Sequence, residues 1–395
     1  MNFLITGAQF HNKGAQSLLF SVMSEIYSRY RDAEIYYLPL DRHNAYLSGN
    51  YRFHLVFDDQ SYKELAGALP KLKRRVKIAI DPYRRHKDFC DLSRILPKID
   101  VMLDVSGYQL TSKARIDGSK RLLRFIGSAK DNGAKVFLLP QSFGPCAFND
   151  PSFDARITET LKRADIVYAR EEDGMTLLRD QYGVYENVRL SPDIVLQSAS
   201  DPSYVCHTPP KKHVPSIDTT GNVGIVPNTQ TFRHGDRDAI LVLYRKVIDR
   251  VLAGGKNVYL FRHSDDLAVC EEIAALYNGD ARVHLIRDEM NSFEYGEFVR
   301  GFDFLVASRY HAIVHAYKQY VPALILGWAV KYDALAALFG QRKYVFDITA
   351  ETNTEKLLAA VDELLANAKA ESQAIESGMK TVKENTCFDE LFRML

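Results

Sequence analysis

Neither sign of charge is in excess: 51 lysines and arginines stand against 50 aspartates and glutamates in 395 residues. Nothing draws the molecule as a whole to nucleic acid, and a basic cluster counts only where it is local. Cysteine is scarce. Cys90, Cys146, Cys206, Cys270 and Cys387 are far apart, odd in number and without a paired ligand spacing, which argues against a disulfide framework and a structural zinc site and predicts reduced thiols. No apolar stretch is long enough to span a bilayer, and the N-terminus lacks the basic region and apolar core of a secretory leader. The expected location is therefore the cytoplasm. Also missing are repeats of solenoid length, low-complexity tracts, a G-x-G-x-x-G fingerprint and a phosphate loop.

What the chain does have is enough apolar material, 46%, to fill two cores. Short apolar runs alternate with helical patterns at Phe3 to Thr6, Glu34 to Leu40, Val101 to Val105, Val136 to Leu139 and Ile166 to Ala169. A second series runs through Val223 to Val226, Val258 to Phe261, Val283 to Ile286, Phe304 to Ala307, Ala323 to Leu326 and Tyr344 to Phe346. Between them residues 198–221 are rich in Pro, Ser and Thr without an apolar period. Such alternation favours open parallel sheets with right-handed crossovers. The expected fold class is α/β, two Rossmann-like doubly wound lobes facing a cleft. Its parts are a first lobe over 1–197, a linker over 198–221, a second lobe over 222–352, and helices over 353–395 that pack back on the first lobe.

In such sheets ligands sit beyond the carboxyl ends of the strands, and several runs end on polar residues there. After Phe304 to Ala307 comes Ser308-Arg309-Tyr310-His311. A strand that breaks into a helix at this point sets an N-cap hydroxyl, a guanidinium and an imidazole at the helix's positive end, beside amides without intrahelical partners. That is an anion site. Arg170-Glu171 ends another run; Arg170 either pairs with Glu171 or Glu172 on the surface or faces the anion site across the cleft. Asp193, after Ser191-Pro192, is an N-cap or a cleft carboxylate. His263 stands beside Asp265 and Asp266 as a satisfied loop histidine or a ligand group, and Lys331 is a surface lysine or a cleft cation. Asn12, Gly14 and Gln16 follow the first strand, Ser106 and Tyr108 the run from Val101, and Gln141 and Ser142 the run from Val136. Each of these sets is a tight turn, a neutral hydrogen-bonding wall or a ligand loop. Lys71, Lys73, Arg74, Arg75, Lys77, Arg84, Arg85 and Lys87, interleaved with Leu72, Val76, Ile80 and Tyr83, form either a solvated face or a peripheral contact with an anionic membrane.

In their order, these blocks resemble the polysaccharide pyruvyl transferase family. The matching pieces are Asn12-Lys13-Gly14-Ala15, Asp104 to Leu110, Pro140 to Pro145, Ala164-Asp165 through Arg170-Glu171, Pro192-Asp193 and Ser308 to His311. Two positions depart from the family pattern: Ala15, where an acidic residue is usual, and Tyr108, where a second glycine is usual. The resemblance implies a GT-B-like fold, phosphoenolpyruvate as donor and co-substrate, and a saccharide acceptor, in one version carried on undecaprenyl diphosphate at the inner face of the membrane. It implies a pyruvate ketal as product, release of phosphate, and no cofactor or metal. It places Arg170, Arg309 and His311 at the donor, where Ser308, Tyr310, Lys331 and His263 would complete the set. It places Asn12, Gly14, Gln16, Ser106, Tyr108, Gln141 and Ser142 on the acceptor side.

The donor carries a phosphate and a carboxylate, so its site needs converging cations and N–H donors. Forming the ketal protonates a methylene carbon and deprotonates hydroxyls. Imidazoles titrate near neutral pH, which makes His311 the proton donor or a phosphate ligand, with Arg309 beside it and Asp193 or Glu171 as the base. Two other classes remain open at this point. One is a nucleotide-sugar glycosyltransferase, sialyltransferase-like in its Glu172-Asp173-Gly174, although no acidic residue lies between His311 and Lys331 to hold a ribose and no His-Pro dipeptide occurs. The other is a non-catalytic glycan or metabolite binder on the same fold.

Overall fold

A parallel strand covered by helices on both faces has no polar side, so it reads as an unbroken apolar run. Val223–Val226, Val258–Phe261 and Phe304–Ala307 are such runs and are buried throughout. The structure, a computed structural model, describes residues 1–10, 12–40, 50–58, 90–208, 214–327, 330–350 and 352–395. The basic stretch from Lys71 to Lys87 lies outside the described residues.

The first sheet contains β1 (Asn2–Thr6), β2 (Glu34–Leu38), β3 (His54–Phe57), β4 (Cys90–Asp91), β5 (Val101–Asp104), β6 (Lys135–Gln141), β7 (Ile166–Ala169) and β8 (Val188–Leu190). Their order is β4-β3-β2-β1-β5-β6-β7-β8. The second contains β9 (Val223–Val226), β10 (Val258–Phe261), β11 (Val283–Ile286), β12 (Phe304–Ala307), β13 (Ala323–Gly327) and β14 (Val345–Asp347), in the order β11-β10-β9-β12-β13-β14. Every strand pair is parallel. These are the two doubly wound α/β lobes expected from the sequence. The strand order reverses between β1 and β5 and again between β9 and β12, and each reversal opens a crevice at the carboxyl ends of the strands.

At the first reversal the chain is pinched. Gly7 has φ +88°, and a Cβ there would lie 2.3 Å from Ser106 Oγ, so only glycine lets the loops after β1 and β5 cross this closely. Two strands had no counterpart among the expected runs: β4 has only two residues, and β3, although its Leu55, Val56 and Phe57 are apolar and buried, is too short to stand out by its period. β8, the strand that ends before Ser191-Pro192-Asp193, is a three-residue edge strand with two exposed residues. The Pro- and Ser-rich segment after residue 198 is also more ordered than its composition suggests. It forms a one-turn helix, Pro202–Val205, capped by Asp201, and buries Val205 and Cys206 in the core.

The lobes meet through the helix Lys13–Arg29, which starts just past β1. Phe20 stacks on Phe293 at 4.8 Å, Gln16 Oε1 accepts from the Ser292 amide at 2.9 Å, and Lys13 Nζ pairs with Glu289 at 2.8 Å. The helix Thr354–Glu384 buries Leu357, Val361 and Leu364 against the second lobe, and its distal Ile375, Met379 and Val382 join the core shared with the first. The last helix, Cys387–Arg393, is fixed to the first lobe by Cys387 N–H to Gln197 Oε1 at 2.7 Å and Tyr168 OH to Glu390 at 2.9 Å.

Candidate active site

Strand ends from both sheets converge on one cleft. From the first lobe, Arg170 follows β7 and Asp193 follows β8. Arg170 is 4% exposed, and a guanidinium this deep must have its N–H groups engaged. It donates through Nη1 to Asp193 Oδ2 at 2.8 Å, through Nε to Glu171 Oε1 at 3.1 Å, and through Nη2 to Ser142 Oγ at 2.8 Å and Gly107 O at 3.4 Å. Its face lies 4.3 Å from the centroid of the Tyr310 ring, which belongs to the other lobe. Arg170 does pair with Glu171, but in the interior and not on the surface, and it faces the second lobe.

Asp193 also takes both of its readings. Oδ1 accepts the Val195 amide at 3.0 Å as a helix cap, while Oδ2, fully buried, lies 3.5 Å from His311 Nε2. That is an ion-pair distance but not a hydrogen bond, and Nε2 has no hydrogen-bond partner among the described residues. Burial opposes ionisation of Asp193, but His311, Arg170 and the Val195 amide outweigh it and hold the carboxyl below the ordinary carboxylate range. The other side of the imidazole faces Gly14, where a Cβ would lie 2.3 Å from Nδ1. The glycine in the first loop is thus what lets the helix Lys13–Arg29 begin against His311.

From the second lobe, β12 runs into the helix Tyr310–Lys318. Its cap position falls to Arg309, not to Ser308 as the sequence suggested, and no side chain caps the first amides. Ser308 is fully buried and turned inward, its hydroxyl 2.7 Å from Tyr244 OH, while its carbonyl accepts from Asn228 Nδ2 at 3.1 Å and Tyr332 OH at 2.9 Å. Arg309 is held as a fork by Asp266, Nε to Oδ2 at 2.7 Å and Nη2 to Oδ1 at 2.6 Å. Lys331 stands half-buried in the cleft, its ammonium 5.5 to 5.7 Å from the ring centroids of Tyr310, Tyr108 and Tyr332. No carboxylate pairs with it among the described residues, and burial, then Arg170, pushes its ammonium down to about 8.

The remaining expected residues form walls. Asn12 caps the helix Lys13–Arg29 through the Gly14 and Ala15 amides, and Gln16 is turned to the other lobe. Ser106 Oγ donates to Gln109 Oε1 at 2.6 Å. Tyr108 keeps 39% exposure at the cleft mouth, its hydroxyl fixed on Gly144 O at 2.9 Å. Gln141 is fully buried, with Nε2 3.4 Å from Asp104 Oδ1; Ser142 Oγ donates to Glu171 Oε1 at 2.8 Å. His263 lies behind the cleft, against Tyr295 and His315, and burial, then His315, His311 and Arg309, push its imidazole well below its usual value, so it is neutral.

Sequence reading passed over Asp266, Tyr244 and Tyr332. Asp266 was visible only as one of two consecutive acids beside His263. Among the described residues no group of three or more His, Cys, Asp and Glu side chains could hold a metal ion, and no helix is long and apolar enough to cross a membrane. The arrangement can therefore bind an anion between the uncapped helix end, Arg309 and Lys331, with an imidazole and two carboxylates at hand for proton transfer.

The sequence family described as polysaccharide pyruvyl transferase matches residues 12–329. No curated protein sequence matches. By structure the chain is similar to trehalose-6-phosphate synthase, with a TM-score of 0.57 at 10% identity over 100% of this chain and 98% of that one. It is also similar to UDP-GlcNAc 2-epimerase from Neisseria meningitidis, with a TM-score of 0.56 at 14% identity over 97% and 98%. The same enzyme from Methanocaldococcus jannaschii gives a TM-score of 0.56 at 13% identity over 95% and 99%. At these identities the likeness is one of fold, the GT-B-like pair of facing lobes.

Proposed function

Because the chain belongs to the polysaccharide pyruvyl transferase family, we propose that it moves the pyruvyl group of phosphoenolpyruvate onto two hydroxyls of a saccharide, forming a pyruvate ketal and releasing phosphate. The observation that carries this reading is the uncapped start of the helix Tyr310–Lys318, flanked by Arg309 and by Lys331, which no carboxylate pairs among the described residues. Amide N–H groups, a guanidinium fork and an ammonium suit a donor with both a phosphate and a carboxylate.

The chemistry balances on one acid and one base. A proton added to the donor's methylene carbon leaves an oxocarbenium-like centre, which one hydroxyl attacks. Departure of phosphate regenerates that centre for the second hydroxyl. Of the two protons the hydroxyls lose, one replaces the proton given to carbon and the other leaves with phosphate. His311 is the proton donor in this scheme. Asp193 is a weak proton acceptor, since its carboxyl is held low, and it instead orients the imidazole and offsets its charge. Glu171, whose Oε2 makes no hydrogen bond among the described residues while Oε1 takes Arg170 and Ser142, is the base.

Lys331 gives the reading a pH signature. Anion binding needs the ammonium, and its value near 8 in the free protein places its loss just above neutrality. To the pH profile of kcat/KM for phosphoenolpyruvate this group is expected to add an alkaline limb that begins at about pH 8 and contributes about a tenfold fall per unit above it. In Lys331→Gln this limb is gone and KM is high throughout; an unchanged limb would remove Lys331 from the donor site.

The direct test is a thermal-shift titration with phosphoenolpyruvate beside UDP- and CMP-sugars, since a ligand that binds only the folded state raises Tm by mass action. Stabilisation by phosphoenolpyruvate, lost in Arg309→Lys, is expected. Stabilisation by a nucleotide sugar alone would make the chain a glycosyltransferase.

A further inference from the structure

Asp266 occupies the N-cap position of the helix Leu267–Ala275, yet its side chain makes no cap bond to that helix. Aspartate is among the preferred residues there because its carboxylate ordinarily satisfies the first free amides. Here it is fully buried and turned away from its own helix. Oδ1 accepts the Thr229 amide at 2.9 Å and Arg309 Nη2 at 2.6 Å, and Oδ2 accepts Arg309 Nε at 2.7 Å. One side chain thus ties together the loops after β9, β10 and β12, the three strands around the second lobe's crevice. A bidentate pair of this kind fixes the plane of the guanidinium as well as its place. It takes two of the five N–H groups that an arginine offers, and the other three have no partner among the described residues. Arg309 keeps 21% exposure, so its free edge is open to the cleft.

We propose that Asp266 is a positioning residue for the donor anion: it holds the Arg309 fork with its free N–H edge toward the phosphate or carboxylate of the donor, at the cost of capping its own helix. This rests on the reading of Arg309 as a donor ligand. A purely structural ion pair would lower stability when broken but would not show selectively in KM for the donor. Asparagine keeps the shape and the acceptor for Thr229, but it removes the charge and one of the two acceptors that face Arg309.

The test uses the full chain as Asp266→Asn, Arg309→Lys and the double variant, with KM for phosphoenolpyruvate, kcat and Tm measured on each. Asp266→Asn is expected to raise KM about tenfold with a smaller change in kcat. In the Arg309→Lys background, where no fork is left to position, it should add less than about twofold, the non-additivity of residues acting as one unit. An undiminished effect in that background, or a loss of activity that follows Tm alone, would overturn the proposal. If Asp266→Asn does not fold, Asp266→Glu replaces it: the longer carboxylate still pairs but displaces the fork, and an unchanged KM there would be equally adverse. Failure of the donor reading looks different, because the wild-type chain would then show no response to phosphoenolpyruvate at all. The same cycle would in that case be run with whichever nucleotide sugar stabilises it.

Discussion

Arg309→Ala is expected to lower kcat/KM by about a hundred- to a thousandfold. It removes a guanidinium that keeps an open N–H edge in the cleft, and a single preorganised donor aimed at developing or transferred negative charge is worth on the order of a hundred- to a thousandfold. The same substitution leaves Asp266 buried without its cation, a loss of roughly 3–5 kcal/mol by comparison with other broken buried pairs. Tm should therefore fall too, and alanine alone cannot separate the two effects. Arg309→Lys does. It keeps a positive charge beside Asp266 and most of the stability, but a lysine cannot form the planar fork, so turnover should drop by about a hundredfold or more while Tm moves little. Near-normal activity in Arg309→Lys would mean that the fork is not part of the donor site.

Gly14→Ala is the second large effect, and it lies outside the lobe proposed to bind the donor. The added Cβ would sit 2.3 Å from His311 Nδ1 and 2.6 Å from Cγ. Two adjustments are open. The imidazole can turn, which carries Nε2 away from Asp193, or the helix Lys13–Arg29 can back off, which loosens the Lys13–Glu289 pair, the Gln16–Ser292 bond and the 2.7 Å contact between Ser17 Oγ and His315 Nε2. Either way the proton donor moves relative to the first lobe, and a displacement of about 1 Å at a reacting group can cost on the order of a hundredfold. Alanine is the better helix former by about 1 kcal/mol, so any loss of stability belongs to the clash and not to propensity. The check is kcat together with Tm for Gly14→Ala; wild-type kcat would show that His311 needs no such closeness to the first lobe.

Local pattern in the sequence carried what was local in the structure. The apolar runs marked most of the strands because a strand covered on both faces must be apolar along its length, and polar residues just past Ala169, Leu190 and Ala307 marked the cleft because that is where a doubly wound sheet exposes its loops. What depends on distant partners was not legible. Ser308 looked like a helix cap, but Tyr244, on the helix Arg237–Ala253, takes its hydroxyl, and the cap passes to Arg309. Asp266 looked like one more acid beside His263, and only the return of the chain at β12 gives it Arg309. Arg170 offered a choice between a local pair and a cleft role, and the fold combines them, since Glu171 is adjacent while Asp193 and Tyr310 arrive from 23 residues away and from the other lobe. The turn Pro202–Val205 was missed for a different reason: it is too short to show a period.

The central claim is that the transferred group comes from phosphoenolpyruvate and ends on a sugar as a ketal. The measurement that tests it most directly is phosphate release from phosphoenolpyruvate by the purified protein across a panel of saccharides, with mass spectrometry of each saccharide afterwards. Phosphate release is expected to depend on one saccharide, matched mole for mole by that saccharide gaining a single acid-labile pyruvyl group and a negative charge, and to be lost in His311→Ala. Transfer of a glycosyl unit from a nucleotide sugar, with phosphoenolpyruvate left intact under every acceptor, would contradict it.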